Sequence, residues 1–253
     1  MTPSPELAAA LDAAEAAARV IRECYARKLA VRLKQDRTPV TEADLQAEQA
    51  IRAVLGARFP RHGFLGEESG RHGGDDALWL VDPIDGTKAF VREYPMFSTQ
   101  IALWRAGGLE LGVSSAPLYG ELAWAERGAG AWLNGRRLAV SDVGTIDAAA
   151  LSTGNLRGLA ASPGWASLGR VVARVDRIRG YGDFLHYHLL AAGKIDAVIE
   201  SDVSILDIAA LVTIVEEAGG RFTALDGGTV GLATTTVLAT NGRLHAPLLA
   251  ALA

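Results

Sequence analysis

The string Asp82-Pro83-Ile84-Asp85-Gly86-Thr87 delivers two carboxylates, three positions apart, where the apolar run Ala77 to Val81 meets a turn. Pro83 stiffens that turn, and Gly86 opens a backbone conformation closed to other residues. Carboxylates crowded at a strand end repel one another unless a cation sits between them. Oxygen donors select hard ions, Mg²⁺, Ca²⁺ or Mn²⁺, over softer metals. A helix beginning after Gly86 would add free N–H groups as a seat for phosphate beside the ion. Taken alone, the string also makes an acidic surface turn with an Asx cap.

It is not alone. Glu67-Glu68 occupies a Gly-flanked strand-to-loop break, Asp44 follows Val40-Thr41 in the first turn of a helix, and Asp207 lies on a helix after the acidic turn Glu200-Ser201-Asp202. Each has a plain structural alternative. Glu68 could be a solvated loop charge, Asp44 a favourable helix-dipole charge, and Asp207 an early-turn acid or cap.

The elements that carry these groups are legible from spacing. Leu7, Leu11, Ala14, Ala18 and Ile21 predict a helix over Pro5 to Arg27. After the polar stretch Lys34 to Pro39, a second helix runs to about Leu55, with Thr41 as its expected N-cap. Phe64 to Gly70 reads as a short strand opening into a Gly-rich, acidic loop, and Ala77 to Val81 as a strand cut off by Asp82-Pro83. Ser98 to Trp104, Leu109 to Ser114 and Leu122 to Glu126 read as further strands, and Asn134-Gly135 as a hairpin turn. The second half restarts with a strand at Ala150 to Thr153 and a helix at Ser162 to Arg174. A helix at Asp183 to Ala192, a strand at Ala197 to Glu200 and a helix at Ser204 to Glu217 follow. A composition shift near 145 divides an N-terminal α+β lobe, 1–145, from a C-terminal α/β lobe, 146–253. Stacked layers of helix and sheet are the expected architecture.

Composition sets the outer limits. Across 253 residues, 49% hydrophobic and 21% charged residues describe a core inside a solvated shell, which excludes disorder, collagen and coiled coil. A net charge of -4 supplies no basic stripe for nucleic acid. Lone Cys24 excludes an internal disulfide and a thiolate cluster. Glu6, Asp12 and Glu15 give the N-terminus the pattern of an amphipathic helix and not of a signal peptide. No apolar run reaches the roughly 18 residues a membrane span needs. A soluble cytoplasmic protein is expected.

Four ordered motifs together carry a resemblance. They are Pro39-Val40-Thr41-Glu42-Ala43-Asp44, Gly66-Glu67-Glu68-Ser69, Val81-Asp82-Pro83-Ile84-Asp85-Gly86-Thr87, and Asp207-Ile208-Ala209-Ala210 before Glu216-Glu217-Ala218-Gly219-Gly220. From Val40 to Asn241 the chain resembles the inositol monophosphatase superfamily of Mg²⁺-dependent, Li⁺-sensitive phosphatases. The resemblance implies an α/β fold, a layered αβαβα sandwich, assembled as a homodimer. It implies that Glu67, Asp82, the Ile84 carbonyl, Asp85 and Asp207 hold two or three Mg²⁺ ions. Asp44 and Thr87 would orient and deprotonate the attacking water, with Glu67 beside them, and the N–H groups of Gly86 and Thr87 would hold the phosphate. One ion would generate hydroxide and another would stabilise the departing alkoxide. One departure stands out: Leu206 precedes Asp207 where the family often has Trp, so altered packing with retained metal binding is expected.

The superfamily takes several phosphate esters, so the fold leaves the substrate open. The resemblance implies that Asp183 and Glu200 come from segments that line the leaving-group pocket. A second carboxylate suits a cationic leaving group, and histidinol carries an ammonium and an imidazole. Tyr181-Gly182-Asp183-Phe184, with Phe97 and Ser114-Ser115-Ala116-Pro117, resembles the histidinol-phosphate phosphatases of this superfamily. The alternatives are an inositol monophosphatase, another small-ester phosphatase, or a non-catalytic metal- or metabolite-binding module. Asp183 could instead cap its helix or pair with Arg179. His62, His72, His186, His188 and His245 are scattered and read as surface or packing residues, with His188 the best exception. Cys24 reads as a buried bystander, Trp79, Trp104, Trp124 and Trp132 as core, and Gly73-Gly74-Asp75-Asp76 as a turn.

Overall fold

Helix α1 (Pro5–Arg27) buries an alanine-rich stripe, Ala10, Ala13 and Ala17 among Leu7 and Ile21. Small side chains let the next helix approach closely. The computed structural model describes residues 3–27, 31–33, 39–74 and 76–253. Strands β1 (Val31–Leu33) and β2 (Pro39–Thr41) pair antiparallel and lead into α2 (Glu42–Arg58), which lies against α1. The polar stretch at 34–38 and the Thr41 cap fall outside the described residues and side chains.

The first sheet is built from β3 (Gly63–Gly66), β4 (Gly70–His72), β5 (Leu78–Asp85), β6 (Ser98–Arg105), β7 (Gly108–Ala116), β8 (Glu121–Glu126), β9 (Gly130–Leu133) and β10 (Arg136–Arg137). Its order is β10-β9-β8-β7-β6-β5-β3-β4, antiparallel except for the β3–β5 pair. Asn134 and Gly135 join β9 to β10 with φ of 48° and 76°, the two left-handed residues of a type I′ hairpin. The strand expected to stop at Asp82 runs on to Asp85. Asp82 pairs with Gln100 and Asp85 with Ser98, so three steps on β5 face two on β6. That is a bulge, where Pro83 withholds no ladder bond because none is required. Thr99 Oγ1 donates to the Pro83 carbonyl at 2.8 Å and fixes it. A one-turn helix, α3 (Thr87–Val91), follows.

The second half contributes β11 (Ala150–Gly154), α4 (Leu156–Ala161), α5 (Trp165–Val172), β12 (Arg177–Arg179), α6 (Asp183–Ala191), β13 (Ala197–Ser201), α7 (Ile205–Glu217), β14 (Arg221–Thr223), β15 (Thr236–Thr240) and α8 (His245–Leu252). The helix expected over 162–174 is α5, shorter at both ends, and α4 just before it was not anticipated. Pro163 forces Ser162 into extended backbone, ψ 153°, and α4 ends there. Strands β12, β14 and β15 and helix α8 were not anticipated. The second sheet runs β12-β11-β13-β15-β14, with parallel pairs on one side of β13 and antiparallel pairs on the other.

The layers stack as αβαβα. α1 and α2 cover one face of the large sheet around Trp79, Val81 and Ile101. α6 and α7 fill the space between the sheets, packing Leu190, Ile208 and Leu211 against Leu80 and Ala123 on one side and Val198 and Val237 on the other. α5 and α8 cover the outer face of the second sheet. Leu206 joins the central core at 9% exposure, so the Leu in place of Trp is accommodated by packing. Among the described residues no helix is long and apolar enough to cross a membrane.

Candidate active site

The bulged end of β5 and the first turn of α7 bring Asp82, Asp85 and Asp207 together, one carboxylate oxygen of each lying within 4.8 Å of the others. Burial pushes the Asp82 carboxyl well above the usual range, and the charges of Glu67, Asp85 and Asp207 push it further. Asp85 is raised by burial and then by Asp183, Asp207, Glu200 and Glu67. Burial also raises Asp207, against two hydrogen bonds from Ser204 that favour its charged form. A crowd of hard oxygen donors that resists ionisation on its own is the donor set of a hard cation. The residues present therefore fit such an ion.

Local structure explains how each acid is held. Asp82 Oδ1 accepts the Ile84 N–H at 2.9 Å, which curls the bulge round its own carboxylate. Asp207 closes a capping box: Ser204 N–H donates to Oδ2 at 2.7 Å and Ser204 Oγ to Oδ1 at 2.8 Å. The helix-cap alternative for Asp207 is thus present together with its place in the cluster. Gly86 has φ +91°, and a Cβ there would lie 2.6 Å from the Met96 carbonyl. Only glycine turns the chain at that point.

Glu67 follows β3, and its backbone N–H donates to the Val81 carbonyl at 3.1 Å. Its side chain hydrogen-bonds Asp82. Its loop is pinned by a residue that the sequence reading missed. Glu48, 3% exposed, accepts the Glu68 N–H at 2.8 Å and the Ser69 N–H at 2.9 Å. Glu48 lies four positions after Asp44, on the same face of α2; that spacing was the available signal. Glu48→Gln should leave one of the two N–H groups facing another donor, at a cost of about 1–3 kcal/mol. Thermal unfolding and Mg²⁺ titration check this. An unchanged midpoint with unchanged Mg²⁺ affinity would show that the loop holds itself.

Thr87 opens α3. Its hydroxyl lies 3.0 Å from the Ile84 carbonyl and 3.4 Å from Asp44 Oδ1. Asp44 is 1% exposed. The two expected partners are therefore neighbours across the β2–α2 and β5–α3 junctions.

Asp183 and Glu200 converge on the same cluster from the second half. Asp183 starts α6 with φ 46° behind Gly182 at φ 74°. Gly182 is the cap residue and no side-chain cap bond forms, while Arg179 donates to the Ile178 carbonyl. Neither the cap nor the Arg179 pair is present for Asp183 among the described residues. Burial and then the Glu200 charge raise its carboxyl to about 6. Glu200 is 4% exposed and packs its carboxylate over Gly154, where any Cβ would overlap it. Tyr187 donates to Glu200 Oε2 at 2.6 Å, and its phenol is held well above its usual range by burial and that carboxylate.

Three of the histidines are packing residues, one of the two roles expected for them, and each also carries hydrogen bonds. His186, His188 and His245 are buried and hydrogen-bonded, and His186 reaches Glu200. Cys24 is buried, with its thiol raised by burial, and Trp79 is core as expected. Asp75 of the Gly73–Asp76 turn lies outside the described residues.

Comparison with known proteins matches this geometry to a lineage. A sequence model of the inositol monophosphatase family matches residues 3–253. A histidinol-phosphatase of Mycobacterium tuberculosis is 43% identical over 232 residues, which cover 86% of this chain and 85% of the relative. An inositol-1-monophosphatase of Caulobacter vibrioides is 36% identical over 251 residues, covering 94% of this chain and 97% of its own. Among solved structures, the extragenic suppressor protein suhB from Bartonella henselae superposes with a TM-score of 0.89 at 34% identity, over 98% of each chain.

Proposed function

The chain belongs to the inositol monophosphatase family of metal-dependent phosphatases, and from that premise we propose that it hydrolyses histidinol phosphate to histidinol and phosphate with Mg²⁺. Glu67, Asp82, the Ile84 carbonyl, Asp85 and Asp207 would hold the ions. When bound, they supply positive charge for the phosphoryl oxygens and the leaving oxygen, and lower the pKa of the attacking water. The chain's own groups do the rest. The Gly86 and Thr87 N–H groups bind phosphate. Thr87 takes a proton from the water and passes its own to Asp44, because an amide carbonyl such as that of Ile84 cannot keep one. A homodimer, which the family resemblance implies, belongs to the same proposal.

One observation carries the substrate. Asp183 presents a partly buried carboxylate with no hydrogen-bond partner among the described residues, beside a second carboxylate, Glu200. Asp183 accepts no hydrogen bond among the described residues, and Glu200 is met by His186 and Tyr187 on one oxygen only, so the pair suits a ligand that brings positive charge. The relative named histidinol-phosphatase supports that reading. The relative named inositol-1-monophosphatase supports a second reading, in which Glu200 accepts hydroxyl hydrogens of an uncharged polyol. A non-catalytic module is disfavoured because the chain keeps every acid the resemblance expects, Asp44, Glu67, Asp82, Asp85 and Asp207.

Asp183→Asn separates the two substrates. A charge-assisted hydrogen bond is worth roughly 1.5–3 kcal/mol, so its loss costs roughly ten- to hundredfold in kcat/KM. That loss should fall on histidinol phosphate and spare glycerol phosphate. Equal losses on both esters would make Asp183 structural. A parent enzyme that turns over inositol phosphate faster than histidinol phosphate would overturn the substrate assignment.

A further inference from the structure

His186 has no part in the steps above, yet its ring is fully buried and both nitrogens are engaged. Nε2 lies 3.1 Å from Glu200 Oε2, and Nδ1 lies 3.3 Å from Ser152 Oγ. Ser152 Oγ already accepts the Tyr181 backbone N–H at 3.1 Å. A carboxylate needs a donor, so Nε2 carries a proton. The Ser152 hydroxyl proton has no acceptor among the described residues except Nδ1. Were the ring doubly protonated, that proton would be stranded in the interior, which buried polar groups avoid.

The bonds therefore run in one direction. Tyr181 N–H donates to Ser152, Ser152 O–H to His186 Nδ1, and His186 Nε2–H to Glu200. Tyr187 O–H lands on the same Glu200 oxygen, Oε2. Both protein donors thus fall on one oxygen, and Oε1 receives no hydrogen bond among the described residues. At its other end the chain grips Tyr181, two residues before Asp183.

We infer that His186, oriented by Ser152, is the positioning residue of the leaving-group pocket: it turns Glu200 so that Oε1 is reserved for the substrate, and through Tyr181 it fixes the turn that carries Asp183. The inference rests on the reading of Asp183 and Glu200 as leaving-group contacts. It adds a specificity determinant that touches neither substrate nor metal.

Two experiments test it. In protein carrying ¹⁵N-labelled histidine, assigned with His186→Gln, the His186 ring should be the neutral Nε2–H tautomer. An Nδ1–H or doubly protonated ring overturns the chain of bonds, whatever the substrate. In kinetics, His186→Phe should raise KM for histidinol phosphate roughly ten- to hundredfold with kcat little changed. Both constants for glycerol phosphate should stay as in the parent. His186→Gln, which keeps a donor near the Nε2 position, should recover most of the KM. Equal effects on the two esters, or no recovery in the Gln variant, overturn the inference. If the Phe variant does not fold, Ser152→Ala replaces it, with the same KM pattern required. Should the parent enzyme prefer inositol phosphate, the substrate assignment alone fails. The test then compares inositol phosphate with glycerol phosphate and requires the same split.

Discussion

Asp82→Asn should cost about a thousandfold or more in turnover at ordinary Mg²⁺, since a bound ion supplies several kcal/mol of charge stabilisation and each 1.4 is tenfold. The fold should survive. Asn has the shape of Asp, and its amide oxygen can still accept the Ile84 N–H. Stability gives a second readout with a definite sign. The Asp82 carboxyl is raised in the folded chain, so its contribution is largest at low pH and is lost as pH rises through the folded value. At neutral pH, without Mg²⁺, its charge therefore opposes folding. The Asn variant should melt no lower than the parent in chelator, and should gain less from added Mg²⁺. Phosphate release and melting with and without Mg²⁺ check both halves. Near-normal turnover in the variant would sink the metal assignment.

Thr87→Ala should lower kcat by roughly 10²–10⁴, the span of a proton relay, while KM moves little. The change removes one hydroxyl, keeps the backbone N–H that is expected to bind phosphate, and puts a good helix former at the start of α3. The 3.4 Å separation of Thr87 Oγ1 from Asp44 is long for a hydrogen bond, as expected before substrate is bound. Steady-state kinetics on one ester decide the matter. A rise in KM alone would make Thr87 a binding residue and remove the relay from the mechanism.

Much of this could be read from the chain because local rules and global packing agree there. The spacing of Leu7 to Ile21 follows α1 from end to end, and Asn134-Gly135 forms its hairpin because two left-handed residues match the twist of β9 and β10. The acids of three motifs meet, and Asp44 of the fourth reaches Thr87, because each sits where an element begins or ends. The misses have physical causes too. Proline at 83 reads as a strand stop, yet a bulge has a position that needs no N–H, so β5 passes through it. Strands of three residues such as β12 and β14 are too short to display alternation and depend on neighbours far along the chain. Glu48 and His186 were missed because a buried charge or imidazole becomes intelligible only when its distant partners are known.

The placement of α7 has a consequence for the making of the protein. One face of the large sheet, complete in sequence by residue 137, is covered by a helix that ends at 217. Gly112 is shaped to receive it, since a Cβ there would collide with the Ala210 carbonyl at 2.3 Å. During synthesis at about 5–20 residues per second, that face must wait roughly 4–16 s for its cover. For that interval Leu80, Ala102 and Ala123 form a bare apolar surface on a nearly finished sheet. The nascent chain is at its most adhesive then, and a stall or truncation in that window leaves a sticky intermediate. The same helix brings Asp207, so the arrival of the cover and the completion of the acid cluster are a single event.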